Sequence, residues 1–255
     1  MARKIPVTGR KISSIKPEKA RKIIRKYHVL LKEREKAVST NDFSTISALD
    51  VQINSIGGLD MYQKASINGQ SKTRGGDSSK LLVDWLKSEK HVGTTEYTKL
   101  LEVGCLQVDN YCARSNLFSQ HVRIDLNSQN PQIQKQDFMA MPLDTFDVIS
   151  LSLVVNFVPN PLIRGKMMQR AHSFLNDNGL LFFVLPSACT ENSRYFDSNI
   201  LSKVFTSVGF TVLEYKLTNK LVYYLLKKSE GSKQPVKKQL CRDGPKLNNF
   251  YISIA

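Results

Sequence analysis

Long apolar runs are missing from this 255-residue chain. Nothing approaches the roughly 18 residues that a membrane-crossing helix needs, so no membrane span is expected. The opening stretch "MARKIPVTGRKISSIKPEKARKIIRKYH" has no apolar segment of the kind a secretory signal carries. The four cysteines, Cys105, Cys112, Cys189 and Cys241, are scattered without a C-x-x-C pair. That spacing argues against a zinc site or a disulfide framework, and for a reduced, intracellular protein without a metal. Phosphate-cradling loops are missing too. Neither G-x-G-x-x-G nor G-x-x-x-x-G-K-[ST] occurs, which disfavours dinucleotides and nucleoside triphosphates. No His–Asp or paired-carboxylate constellation stands out, so no catalytic residue is assigned.

What is present in excess is positive charge, and it is unevenly spread. Residues 1–38 hold 13 Lys/Arg against 3 Asp/Glu, residues 226–255 hold 7 against 2, and residues 39–225 hold 17 of each. A neutral body with basic ends suits a polyanion, because each cation placed on a phosphate releases condensed counterions. A basic tail read for nuclear import is the plainer alternative.

Residues 17–37 predict a helix with Pro17 in its first turn. It has Ile23, Ile24, Tyr27, Leu30 and Leu31 on one face and an almost wholly basic opposite face. A second helix is expected over 42–56, with Phe43, Ile46, Leu49 and Ile53 inward and Gly57-Gly58 ending it. Asp77 is a candidate cap for a helix carrying Leu81, Leu82, Trp85 and Leu86. From Lys99 onward short apolar runs alternate with helical stretches. "KLLEV", "HVRID" (121–125), "FDVISLSLVV" (146–155) and "LLFFVLP" (180–186) read as strands. The stretches 161–175 and "SNILSKVFTSVGF" read as helices. "TVLEYKL" and "LVYYLLK" flank a Thr218-Asn219 turn and predict an antiparallel hairpin. The fold class is therefore α/β: a mostly parallel, Rossmann-like sheet with a C-terminal antiparallel hairpin and an N-terminal helical extension. The expected divisions are a basic arm over 1–38, a helical extension over 39–97, the α/β domain over 98–228 and a basic segment over 229–255.

Ligands of such sheets sit beyond the carboxyl ends of the strands. Gly104, in "LEVGCLQVDN", falls there, either as the floor of a cofactor site or as the residue ending a buried strand. Asp125 closes the next strand 21 residues later, near the spacing at which an acid accepts from ribose hydroxyls. Asp137 and Phe138, in "QDFMAMP", suit an adenine whose amine meets the carboxylate while its ring stacks on the phenyl. A turn aspartate and a core phenylalanine explain them equally. Ser150 and Ser152 on the third strand offer hydroxyls to a cofactor, or simply end the strand. One glycine and no phosphate loop fit S-adenosylmethionine, which carries no phosphates, and the terminal hairpin fits a class I methyltransferase.

The blocks "GGLDMYQKASINGQ", "RGGDSSKLLVDWL", "LLEVGCLQVDNY", "VRIDLNSQ", "IQKQDFMAMPL", "FDVISLSLVVNFVPNP" and "GLLFFVLPSACTENSRY" carry a resemblance that covers residues 55–228. With "GPKLNNFYISI" near the end, they resemble the fungal nucleolar methyltransferase family that modifies N1 of an adenine in 25S ribosomal RNA. Its animal relative is the S-adenosylmethionine sensor upstream of the TOR kinase. The resemblance implies cofactor contacts at Gly104 and Asp125, adenine contacts at Asp137 and Phe138, and a methionine-end contact at Ser150 or Ser152. Arg74, in "TRGGDSS", becomes a candidate clamp for the cofactor carboxylate, with Gln63 a weaker one; a surface-loop arginine is the alternative for Arg74. The expected protein is a monomeric ribosomal-RNA adenine-N1 methyltransferase of the nucleolus, gripping RNA with its basic ends. A non-catalytic S-adenosylmethionine sensor signalling through a protein partner is the rival. An amino-group methyltransferase often carries (D/N)-P-P-(Y/F) after its fourth strand, whereas this chain has "SLSLVVNFVPNP", which disfavours exocyclic-amine chemistry.

Overall fold

Apolar residues on successive positions of a strand face opposite sides of a sheet, so runs such as Leu100-Leu101, Val148-Ile149 and Phe182-Phe183 require cover on both faces. The computed structural model provides it. It describes residues 15–69, 77–88, 99–128 and 130–255, and the chain divides into two compact units, Met1–Gly76 and Asp77–Ala255.

In the first unit, three helices follow one another: α1 (Pro17–Ser39), α2 (Phe43–Ser55) and α3 (Gly58–Gly69). Tyr27 and Leu30 of α1 meet Leu49 and Ile53 of α2, with Leu31, Ile56, Leu59 and Tyr62 packed around them. The rings of Tyr27 and Tyr62 stack at 4.8 Å. Asp42 caps α2 by accepting from the Thr45 N–H at 3.0 Å, and Arg34 bonds Asp50 at 2.6 Å. Two departures from expectation occur here. Phe43, expected inward, is 77% exposed, because it opens the first turn of α2 before the stripe at 46, 49 and 53 begins. The helix α3 begins at a glycine, a residue usually read as a stop. The chain makes that start with Gly57 and Gly58 both at positive φ, 90° and 56°.

The second unit begins with α4 (Ser79–Leu86) and is built on β1 (Lys99–Val103), β2 (Gln120–Asp125), β3 (Gln134–Lys135), β4 (Phe146–Ser152), β5 (Leu175–Pro186), β6 (Phe210–Leu217) and β7 (Leu221–Lys228). The seven-stranded sheet has the order β3-β2-β1-β4-β5-β7-β6. The first five strands pair in parallel, while β7 pairs antiparallel with both β5 and β6. Between the strands lie α5 (Tyr111–Arg114), α6 (Pro161–Ser173), α7 (Ala188–Glu191) and α8 (Ser198–Val208). One face packs Leu101, Ile149, Leu181 and Phe183 under α6 and α8; the other packs Leu100, Val148, Phe182 and Val184 under α4. The helix expected to reach Leu175 ends at Ser173, since Leu175 already pairs with Phe146.

The division at 228/229 is not where the chain divides. Residues 229–255 belong to the second unit, and Val236, Phe250, Ile252 and Ile254 lie in its larger core. Val236 and Ile254 exchange backbone hydrogen bonds at 2.9 and 3.0 Å. Arg164 of α6, 1% exposed, donates to the carbonyls of Val158 (2.7 Å), Pro159 (3.3 Å) and Tyr251 (2.6 Å), and its guanidinium lies 4.4 Å from the Phe250 ring centre. Burial pulls its pKa down to about 10, still far above neutrality, so the charge is kept and shared among those carbonyls. The boundary expected at 97/98 likewise moves to 76/77, because α4 covers one sheet face. That at 38/39 falls inside the three-helix unit, because Tyr27 and Leu30 are buried against α2.

Candidate cofactor site at the strand ends

The carboxyl ends of β1, β2 and β4 bring together Gly104, Asp125 and Ser152 of the expected residues. Gly104 follows β1 at φ +71°, and its N–H and that of Cys105 both donate to the Ile124 carbonyl, at 2.9 and 3.0 Å. A Cβ on Gly104 would meet Val154 Cγ2 at 2.8 Å. Glycine is required here twice, for its backbone conformation and for the close approach of the turn after β4.

Two residues earlier, Glu102 is 7% exposed and was not anticipated as a site residue. Its carboxylate accepts from Asn110 Nδ2 at 3.0 and 2.8 Å and from His121 Nε2 at 2.6 Å, with Arg123 Nε 4.0 Å away. Arg123 Nη2 donates to His121 Nδ1 at 2.6 Å, which assigns the neutral ring its Nε2–H. Asn110 in turn caps α5 by accepting from the Ala113 N–H at 2.9 Å. Glu102 thereby ties the loop after Gly104 to the sheet, and its oxygens are occupied by structure rather than poised as a base. An acid inside an otherwise apolar strand, "LLEV", was the available signal. Burial, reinforced by Glu102, pushes the Cys105 and Cys112 thiols well above their usual pKa, so neither is poised as a nucleophile.

The entrance to α4 closes the same region. Asp77 accepts from the Ser79 N–H at 2.9 Å and from the Tyr111 N–H at 2.8 Å, joining the starts of α4 and α5. Ser78 Oγ lies 2.8 Å from Ser152 Oγ at the end of β4. Ser152 is therefore at the strand end, as expected. Ser150 is not: it is 6% exposed and in register with Glu102 and Phe182 inside the sheet.

Asp125 closes β2; its Oδ1 accepts from the Asn127 N–H at 2.8 Å and its carbonyl from the Gln136 N–H at 2.9 Å. Asp137 is exposed and caps a 3-10 turn (Phe138–Ala140) through the Met139 N–H at 2.8 Å. Phe138 corrects the expectation. Its ring is 2% exposed and sits edge-on to Phe174 at 5.5 Å, so it belongs to the core and cannot also stack on a ligand. Arg170 holds this turn from α6 by donating to the carbonyls of Phe138 (2.6 Å) and Met141. Arg74 lies outside the described residues, and Gln63 is on α3 of the first unit. A separate groove of about 370 Å³, lined by α8 and residues 232–239 and including Lys203 and Lys237, takes no lining from the strand-end residues.

Three comparisons bear on this arrangement. Residues 47–252 match the family model described as 25S rRNA (adenine(2142)-N(1))-methyltransferase, Bmt2. The chain is similar to the 25S rRNA (adenine(2142)-N(1))-methyltransferase of Saccharomyces cerevisiae, 42% identical over 241 residues, covering 89% of this chain and 70% of that protein. It is also similar to the 25S rRNA adenine-N(1) methyltransferase of Schizosaccharomyces pombe, 36% identical with 98% of each covered. A weaker likeness, 29% over 75 residues, reaches 29% of this chain and 19% of the Xenopus laevis S-adenosylmethionine sensor upstream of mTORC1. Among solved structures, an S-adenosylmethionine-dependent methyltransferase from Clostridium acetobutylicum aligns with TM-score 0.51 at 13% identity, covering 65% of this chain and 98% of that one. The 1,6-didemethyltoxoflavin-N1-methyltransferase of Burkholderia thailandensis aligns with TM-score 0.50 at 11% identity, covering 66% and 87%. At such identities the likeness concerns the fold, that of class I methyltransferases.

Proposed function

The chain belongs to the family of 25S rRNA adenine-N1 methyltransferases, and from that premise we propose that it transfers a methyl group from S-adenosylmethionine to N1 of an adenine in large-subunit ribosomal RNA. One observation carries the assignment of the site: Gly104, Asp125 and Ser152 converge at neighbouring strand ends, the place where this fold class holds its ligand. The fit is good on chemistry as well. The backbone at Gly104 is bare and bent, and Asp125 and Asp137 carry carboxylates of the kind that a ribose and an adenine amine need as acceptors, which supports this reading.

Bound S-adenosylmethionine supplies the methyl as a sulfonium, already electrophilic, so the residues of the chain provide placement more than activation. Asp125 would accept from the ribose hydroxyls, Asp137 from the adenine amine, and Ser152 would offer a hydroxyl to the methionine end. Adenine N1 is unprotonated at neutral pH and needs no base, so rate comes from holding it in line with the methyl. The target base must be unpaired or flipped, since pairing hides N1.

The basic ends supply the RNA affinity in this account, with α1 exposing Arg21, Lys22, Arg25, Lys26 and Lys36. Action in the nucleolus during ribosome assembly, as a monomer, completes the proposal. It is tested by incubating the protein with methyl-labelled cofactor and 25S rRNA from cells lacking this activity, then mapping the modified base. One N1-methyladenosine at a single position is expected. Cofactor binding with no label in RNA would favour the sensor instead.

A further inference from the structure

The last stretch of the second unit brings lysines and tyrosines together. Residues 235–242, "PVKKQLCR", form a strap fastened near each end, Val236 to Ile254 and the Cys241 N–H to the Arg194 carbonyl at 2.9 Å. Between these ties Lys238 Nζ lies 4.0 Å from the centre of the Tyr195 ring and 5.5 Å from that of Tyr251. The two rings stand edge to face at 6.3 Å; both are half-exposed, and Lys238 is exposed. An ammonium reaches a ring face only where packing has left that face open, and a flat base stacks on the same face. These rings lie at the edge of the sheet that carries the strand-end site. Tyr195 follows α7, which leaves the carboxyl end of β5. The Tyr251 carbonyl accepts from Arg164, which also holds the carbonyls of Val158 and Pro159 on the segment after β4. Lys237, next to Lys238, lines the groove against α8 with Lys203, Thr206 and Ser232, and no acid among the described residues lines it.

We propose that this surface is a track for the single-stranded RNA that flanks the target adenine. One base stacks on Tyr195, with Tyr251 as its buttress, and Lys238 turns from the ring to a phosphate. Lys203 and Lys237 take neighbouring phosphates along the groove. The choice of RNA rests on the ribosomal-RNA function proposed above, and the track is a surface apart from α1. Cations and hydroxyls without carboxylates match phosphodiesters, and an open ring matches a base; a single strand offers both in alternation. An acidic peptide would engage the lysines and leave the ring idle. Duplex RNA would bring phosphates with its bases already stacked on one another. Because the target base must be unpaired, a strand beside it is the form of RNA at hand.

The test compares the full-length protein with Tyr195→Leu, Tyr195→Phe and the double variant Lys203→Gln/Lys237→Gln on two labelled probes. One is an oligoadenylate of about 12 nucleotides, the other the same ribose–phosphate chain without bases. Phosphate contacts, those of α1 included, are common to both probes, so stacking shows only in their difference. Tyr195→Leu should weaken oligoadenylate binding roughly 10-fold by fluorescence anisotropy and change binding of the abasic chain by less than about twofold. Tyr195→Phe, which keeps a ring, should bind both as wild type does. The double lysine variant should lower the salt slope on both probes by roughly 1.4, the share of two phosphates on a single strand. If Tyr195→Leu proves unfolded, wild type still decides, since light-induced crosslinks from a central 4-thiouridine in the oligoadenylate should map to Tyr195 or Tyr251. Equal loss on both probes, no loss on either, an unchanged salt slope, or crosslinks confined to other residues would overturn the track. Wild type that shows the base-dependent binding but transfers no methyl to ribosomal RNA would support the track and overturn the methyltransferase function instead.

Discussion

The two units of this chain use similar residues for different ends. In Met1–Gly76 a small cluster around Tyr27, Leu30, Leu49 and Ile53 holds three helices together, and the lysines and arginines of α1 other than Arg34, which pairs with Asp50, stay in solvent. In Asp77–Ala255 two apolar clusters fill both sides of a seven-stranded sheet, and several cations are drawn inside. Arg164 and Arg170 bind backbone carbonyls, and Arg242 donates to the carbonyls of Ser193 and Phe196, each at 3.0 Å. A count of basic residues therefore means different things in the two units. In the first it measures charge offered to a polyanion; in the second part of it measures how the C-terminal segment is fastened.

The widest separation should come from the solvent-facing charges. Changing Arg21, Arg25, Lys26 and Lys36 to Gln should weaken RNA binding on the order of 100-fold at low salt and flatten the salt slope by roughly 3 to 4. The melting transition of the sheet should not move. A filter-binding salt titration beside a thermal melt reads both. A smaller effect, now on folding, is expected at Gly165, where a Cβ would lie 1.9 Å from the Ser253 carbonyl oxygen. Gly165→Ala should destabilise the second unit by about 3 kcal/mol, a fall of roughly 6–12 °C in Tm, because the C-terminal segment must lift from α6. Smaller again is the partly exposed Lys99–Asp144 pair at 2.7 Å. Lys99 holds the Asp144 carboxyl below the usual carboxylate range, so its contribution is present above about pH 4 and fades as pH falls through the lowered value. Asp144→Asn should cost about 0.5 kcal/mol in denaturant melts at pH 7 and progressively less as the pH is lowered through the acid range.

The sheet was readable because its strands are buried on both faces and announce themselves as apolar runs. Strand-end positions followed from that, so Gly104, Asp125 and Ser152 could be placed from spacing alone. What escaped depends on third-dimension detail. Phe138 looks like a stacking ring in sequence, but only the approach of Phe174 and Arg170 makes it core. Ser150 and Ser152 differ by two residues and share a face, so only the strand's end separates them. Glu102 is distinguished by its partners Asn110 and His121, which lie 8 and 19 residues away. The C-terminal segment was judged by its charge, although "FYISIA" alternates in the manner of a buried strand, with Phe250, Ile252 and Ile254 inward.

The claim that joins these points is that the strand ends of the second unit, and not the basic helices of the first, hold the cofactor. Calorimetric titration of S-adenosylmethionine into wild type and Asp125→Asn tests it most directly, with melts to confirm that both are folded. A loss of about tenfold or more in affinity, near 1.4 kcal/mol, is the expected result. Equal affinity in two folded proteins would contradict it.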